Sequence, residues 1–289
     1  MRILSIIILI ITISCNQSKS LNESEYYLTL ENHEIHVKHI GKGSPILFAH
    51  GGYLDLEMWN SQIDAFKNSH KLIRFTDLGH GQTIRSGKSI YGYNIIESLT
   101  RKYPYEKFDL VGLSWGAMLC VDFALKYPER VNKLILVSPG LNGWSYFKDS
   151  LALKNYNQRQ KAIERNDISE AGKLFHQTWA IGPRREQENI DKSFRSESFE
   201  MILKNMQNHW LENWSELDTV QAISRLEQIE SPTYVIIGDQ DAQDIHLIAE
   251  EYTTRIKNAK KMVVSNFAHL VNMEDPKRFN TLLQDILKE

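Results

Sequence analysis

Gly112-Leu113-Ser114-Trp115-Gly116 lies between a short apolar run and an apolar run of helical length. A Gly-x-Ser-x-Gly pentapeptide in that setting puts the serine on a sharp strand-to-helix turn, where the glycines tolerate the crowding around a strained residue. A serine hydroxyl is a weak nucleophile unless a base and donors for a developing oxyanion surround it. The pattern therefore asks the rest of the chain for a histidine, an acid and two convergent N–H groups.

Ten histidines are present, and chain order narrows them. His269, in Asn266-Phe267-Ala268-His269-Leu270, follows the last predicted strand and is the candidate base. Asp239, Asp241 and Asp244 follow the strand before it; Asp241 is favoured, being far enough past the strand to turn inward. The order Ser114, Asp241, His269 suits such a turn. No carboxylate lies between Ser138 and Trp144, which removes an acid after the strand ending at Val137. For the oxyanion, one donor is the N–H of Trp115; the other is expected from Gly52, in the Gly51-Gly52 loop after Ala49.

Eight segments read as strands: Tyr26–Leu30, Glu34–His39, Pro45–Ala49, Lys71–Thr76, Phe108–Gly112, Lys133–Val137, Thr233–Ile237 and Lys261–Val264. Between them run helical patterns at Leu56–Phe66, Asn94–Arg101, Trp115–Tyr127, Ile245–Ile256 and Lys277–Leu287. Short, continuously apolar strands separated by helices predict an α/β fold, a mostly parallel eight-stranded sheet with helices on both faces. The site then falls at the carboxyl ends of the strands. From Leu141 to Glu230 the alternation stops and helical patches appear at Leu151–Arg165, Ile168–Trp179 and Glu200–Glu212. This stretch reads as a helical cap (141–230) inserted between core segments 26–140 and 231–289.

The chain has 289 residues, 42% hydrophobic and 24% charged, with net charge −2. That is globular composition, and it gives no support to nucleic-acid binding. Met1-Arg2, the apolar run Ile3–Ile13 and Ser14-Cys15 read as a signal peptide (1–14), too short to span a bilayer. The small residue before Cys15 resembles a bacterial lipoprotein processing site, although Thr12 stands where leucine is usual. It implies an exported protein held to the membrane by lipid on Cys15, with residues 15–25 as a tether. Plain secretion is the alternative. Cys120, the other cysteine, is expected to be an inert buried thiol.

The motifs together resemble the α/β-hydrolase fold superfamily over most of Tyr26–Glu289. They are His50-Gly51-Gly52, Asp77-Leu78-Gly79-His80-Gly81, the serine pentapeptide, Tyr127-Pro128-Glu129-Arg130-Val131, Gly238-Asp239-Gln240-Asp241 and Ala268-His269. The resemblance implies Ser114 as nucleophile, His269 as base, Asp241 as acid, Gly52 and Trp115 as oxyanion donors, and neither metal nor organic cofactor. The Asp77 loop departs from the usual Asp-x-Arg-Gly-x-Gly by one residue and the arginine. Ala268 and Ala117 replace common glycines.

The expected substrate is a small molecule with an ester, lactone or thioester bond. Ser114-Trp115-Gly116 and His50-Gly51-Gly52 also resemble proline iminopeptidases, though Tyr53-Leu54-Asp55 departs from them. An aminopeptidase would need an acidic cap pocket, for which Glu164, Glu170, Glu186 and Glu188 are candidates. A ligand-binding protein without turnover is the reading from another class. His50 and His80 are expected to order their loops. His33, His36 and His39 are expected at a hairpin surface, since a three-residue step along a strand changes face.

Overall fold

The computed structural model describes residues 22–210 and 212–289. The expected signal peptide, Cys15 and the tether up to residue 21 lie outside the described residues. The strands are β1 (Ser24–Leu30), β2 (His33–Ile40), β3 (Ser44–Ala49), β4 (His70–Phe75), β5 (Phe108–Leu113), β6 (Val131–Val137), β7 (Thr233–Gly238) and β8 (Ala259–Val264). They form one sheet in the order β1-β2-β4-β3-β5-β6-β7-β8. β2 is antiparallel to β1 and β4, and every pairing from β4 to β8 is parallel.

The helices are α1 (Asn60–Phe66), α2 (Gly92–Lys102), α3 (Trp115–Lys126), α4 (Ser150–Glu164), α5 (Ile168–His176), α6 (Lys192–His209), α7 (Gln243–Arg255), α8 (Val271–Glu274) and α9 (Pro276–Lys288). Successive strand residues point to opposite faces, so each apolar strand feeds two cores. Leu47, Leu110, Leu136 and Val235 pack with Ile96 and Leu99 of α2, Val121 of α3 and Ile248 of α7. Phe48, Val111, Ile135 and Ile236 pack with Ile63 of α1 and Phe279 and Leu283 of α9. Burial on both faces is why these strands carry no polar alternation. Cys120 is buried in the first core, where desolvation pushes its thiol pKa up.

β3 pairs with β4 on one side and β5 on the other, with Ala49 opposite Gly112. The direction of winding reverses there, and the loops leaving the two strands diverge from a crevice at the sheet edge. The turns after Ala49 and Leu113 are therefore neighbours.

α4, α5 and α6 each begin at an aspartate cap. Asp149 accepts from Leu151 N at 3.0 Å, Asp167 from Glu170 N at 3.0 Å and Asp191 from Phe194 N at 2.9 Å. Such caps satisfy N–H groups that have no intrahelical partner. The Asp191 cap starts α6 well before the expected Glu200. The expected helix over Ile168–Trp179 gives way after His176 to a π-helical turn, Gln177–Ile181, which ends at Gly182 with φ 105°.

Three expectations differ from the structure. β1 starts at Ser24, within the expected tether, because Glu23 pairs with the buried Arg74 at 2.9 Å and Glu25 with His36 at 2.6 Å. His33 and His36 are buried rather than at a surface: His33 Nε2 lies 2.8 Å from Lys88 O, and the His36 amide donates to Thr83. Within 141–230, the helical part spans α4 to α6, whereas Ala222, Leu226 and Ile229 are buried in the sheet core beside α7.

Candidate active site

Ser114 leaves β5 with φ 53° and ψ −106°. A non-glycine residue with positive φ stores strain of ~1–3 kcal/mol and needs surroundings that enforce it. Here its N–H donates to Val137 O at 3.0 Å, and its carbonyl accepts from Gly140 N at 3.1 Å. The flanking glycines are sterically required. A Cβ on Gly116 would lie 2.3 Å from Ala49 O, and one on Gly112 would lie 2.6 Å from Gly116 O. The pentapeptide thus presses α3 against β3 and β5, and Ser114 faces a cavity at the sheet edge.

His269 and Asp241 meet behind that cavity. His269 Nδ1 is 2.8 Å from Asp241 Oδ2, and both side chains are buried. The other carboxylate oxygen accepts from Ala242 N at 2.7 Å. With Nδ1–H donating to the carboxylate, the His269 Nε2 lone pair is left as an acceptor. Gly238 permits this meeting: a Cβ there would lie 2.1 Å from Phe267 O. The other two candidate acids serve elsewhere. Asp239 accepts from Asn266 N at 2.7 Å and so holds the turn before His269. Asp244 accepts from Trp144 Nε1 at 3.0 Å and Asp149 N at 3.1 Å, tying α7 to the start of α4.

Gly52 and Trp115 both line the cavity. Trp115 is the first residue of α3, where backbone N–H groups have no intrahelical acceptor. The next amide after Gly52 is engaged, since Tyr53 N donates to His80 Nε2 at 3.0 Å. Two buried imidazoles brace this loop. His50 Nε2 accepts from Asp77 N at 2.9 Å while its Nδ1 lies 2.8 Å from Gly51 O. His80 Nδ1 lies 2.9 Å from Leu78 O. Burial lowers the pKa of both, that of His80 well below the usual histidine value, as two neutral one-donor, one-acceptor rings require. Asp77 Oδ2 accepts from Trp115 Nε1 and Ser215 Oγ, each at 2.8 Å, although burial pushes its carboxyl pKa up.

The cavity has a free volume of about 220 Å³. Its floor is the edge carrying Gly52, Ser114, Trp115 and His269; its roof comes from α4, α5, the 177–181 turn and Trp214. The roof is pinned at several points. Arg185 pairs with Glu274 of α8, Gly81 N donates to Asn205 at 2.7 Å, and Arg184 donates to Asp149 at 2.7 Å. Burial alone would raise the Asp149 carboxyl, but donation from Arg184, Gln243 N and Ala152 N brings it down to about 2.

All five residues expected at the site lie at one sheet edge, and Asp241 is the acid that reaches His269. Among the described residues no hydrogen bond joins Ser114 Oγ to His269; the two line the same cavity. Tyr146, Phe147, Trp179 and Trp214 of the cap line it too. Sequence reasoning missed Arg159 and Tyr53. Arg159 lies in a helix whose pattern is mostly polar and offers no sign of which cation turns inward. Tyr53 holds φ 54°, a strain invisible without the backbone.

The model of the alpha/beta hydrolase fold matches residues 44–276. An (E)-2-((N-methylformamido)methylene)succinate hydrolase of Acinetobacter baylyi is 21% identical over 88% of this chain and 94% of its own length. A 2-hydroxy-6-oxo-6-phenylhexa-2,4-dienoate hydrolase of Comamonas testosteroni is 24% identical, covering 95% of this chain and 97% of its own. Among solved structures, the carboxylesterase CesB of Bacillus subtilis superposes with a TM-score of 0.73 at 17% identity, over 93% of this chain and 92% of that one. With the serine turn, the sheet order and the family match in agreement, the chain belongs to the α/β-hydrolase fold family.

Proposed function

We propose that the protein is a serine hydrolase that cleaves a small ester, lactone or thioester through an acyl-enzyme on Ser114. The observation that carries this reading is the buried His269–Asp241 pair beside the strained Ser114 turn, all bordering one cavity. Ser114 Oγ attacks the carbonyl carbon while His269 Nε2 takes its proton. The Gly52 and Trp115 N–H groups receive the oxyanion. His269, now protonated and stabilised by Asp241, gives the proton to the leaving oxygen or sulfur. Water deprotonated by His269 then attacks the acyl carbon, and Ser114 recovers its proton as the acid is released.

The aminopeptidase alternative is less well supported. It calls for a carboxylate facing the substrate amine, and none of Glu164, Glu170, Glu186 and Glu188 lines the cavity; the charged side chain there, Arg159, has the opposite sign. A fluorophosphonate probe tests the reading. The wild type is expected to be labelled once per chain and Ser114→Ala not at all. Labelling that persists in the variant overturns the assignment of Ser114. Lipid on Cys15 and retention at the envelope belong to the same proposal, resting on the sequence before residue 16.

A further inference from the structure

Arg159 projects from α4 into the roof of the cavity. Its guanidinium carbon lies 5.3 Å from the Tyr156 ring centre, 5.4 Å from Phe175 and 5.9 Å from Tyr53. Its Nε is buried without an acceptor. Among the described residues no carboxylate pairs with it, and the groups that act on its charge are the two tyrosines. Two other arginines of the cap are paired instead, Arg184 with Asp149 and Arg185 with Glu274.

Arg159 is half-buried and its Nε is sealed from water; a guanidinium so placed without a counter-charge is costly, and three aromatic faces offset that only in part. The rings meet the cation through their faces, and its Nε finds no acceptor among the described residues, which leaves N–H groups for a partner. The matching partner is a planar two-oxygen anion, which a guanidinium binds through two parallel N–H donors. Tyr53, whose ring faces Arg159, directly follows Gly52 in the chain, so the roof cation and the floor amide of Gly52 border one cavity.

We propose that Arg159 binds a carboxylate carried by the substrate, so that the preferred substrates are small esters or lactones bearing a carboxylate. This rests on the serine-hydrolase reading above. Arg159 sets specificity and takes no part in bond making or breaking.

Two matched ester pairs test it by acid release in a pH-stat: monomethyl glutarate against methyl pentanoate, and 4-acetoxybutanoate against butyl acetate. The first pair places the anion on the acyl side, the second on the leaving-group side. In the wild type, kcat/KM for at least one anionic ester is expected to exceed that of its neutral partner by about 10- to 100-fold, the range of a charge-assisted pair. That ratio should collapse in Arg159→Gln and be intermediate in Arg159→Lys, which keeps the charge but loses the fork. Neutral esters preferred in both pairs, or a ratio unchanged in Arg159→Gln, overturns the proposal; the wild-type ratio needs no variant to fold.

Ser114→Ala separates this idea from the one beneath it. If Ser114→Ala still cleaves the esters, the serine-hydrolase reading fails. Binding is then read directly, with pentanoate as probe. A rise in Tm of the wild type that Arg159→Gln lacks supports the carboxylate site, and equal shifts refute it.

Discussion

Gly52→Ala offers a sharp test of the oxyanion loop. Gly52 does not hold a positive φ, so the backbone itself accepts alanine. The obstacle is Trp214: the new Cβ would stand 2.6 Å from Cη2 and 3.0 Å from Cζ3 of its indole. Carbon atoms prefer ~3.5–4.0 Å, so the loop or the ring must move by about 1 Å. Trp214 is held edge-on by Trp115 at 5.1 Å and Tyr53 at 5.0 Å, which favours movement of the loop. Displacement by that amount takes the Gly52 N–H off the oxyanion, a loss of ~2.7–4 kcal/mol, or about 10²–10³ in kcat. Initial rates on a short-chain ester measure it, with thermal melting to show that the fold persists. Trp214→Phe removes the two ring atoms in conflict, so Gly52→Ala/Trp214→Phe should recover at least tenfold of the loss. If Gly52→Ala keeps kcat within threefold, or the double variant recovers nothing, Gly52 is not the donor inferred.

Asp241→Asn should lower kcat by ~10⁴ with little change in Tm, because the amide can hold the ring in the wrong tautomer; a loss under tenfold would show that another acid orients His269. Burial raises the Asp122 carboxyl to about 6 from its ordinary 3.8, partly opposed by donation from Asp218 N and Asn142. Between those values the folded state binds more protons than the unfolded one, so this group's contribution to stability falls as pH rises, by about 3 kcal/mol in total. Urea titrations at pH 4 and pH 7 should show that the wild type loses most of this, about 2 kcal/mol, relative to Asp122→Asn; parallel curves would contradict the shift. Cys15→Ala should abolish labelling by a fatty-acid analogue and release the protein from membranes, and unchanged membrane partition would refute the anchor.

The core was legible because both faces of the sheet are buried. β3, β5, β6 and β7 must then be continuous apolar runs, and such runs separated by helical periods admit few arrangements. The serine turn was legible for a steric reason, since Gly112 and Gly116 have no room for a Cβ. The roof was less so. α6 is polar along most of its length, and its true start depends on the Asp191 cap rather than on a hydrophobic stripe. His33 and His36 looked like surface residues, because the partners that make their burial tolerable, Lys88 and Glu25, lie on other segments.

The sequence by itself determined the sheet, its edge and the order of the serine, acid and histidine, since these follow from local patterns of period two, period 3.6 and glycine. Only the tertiary structure decided among Asp239, Asp241 and Asp244. Three carboxylates within six residues have equal chemistry, and their fates differ because Asn266, His269 and Asp149 come to them from elsewhere in the chain. It also decided that Arg159 enters the cavity while Arg184 and Arg185 fasten the roof. That choice depends on which face of a mostly polar helix turns inward, and packing, rather than composition, sets it.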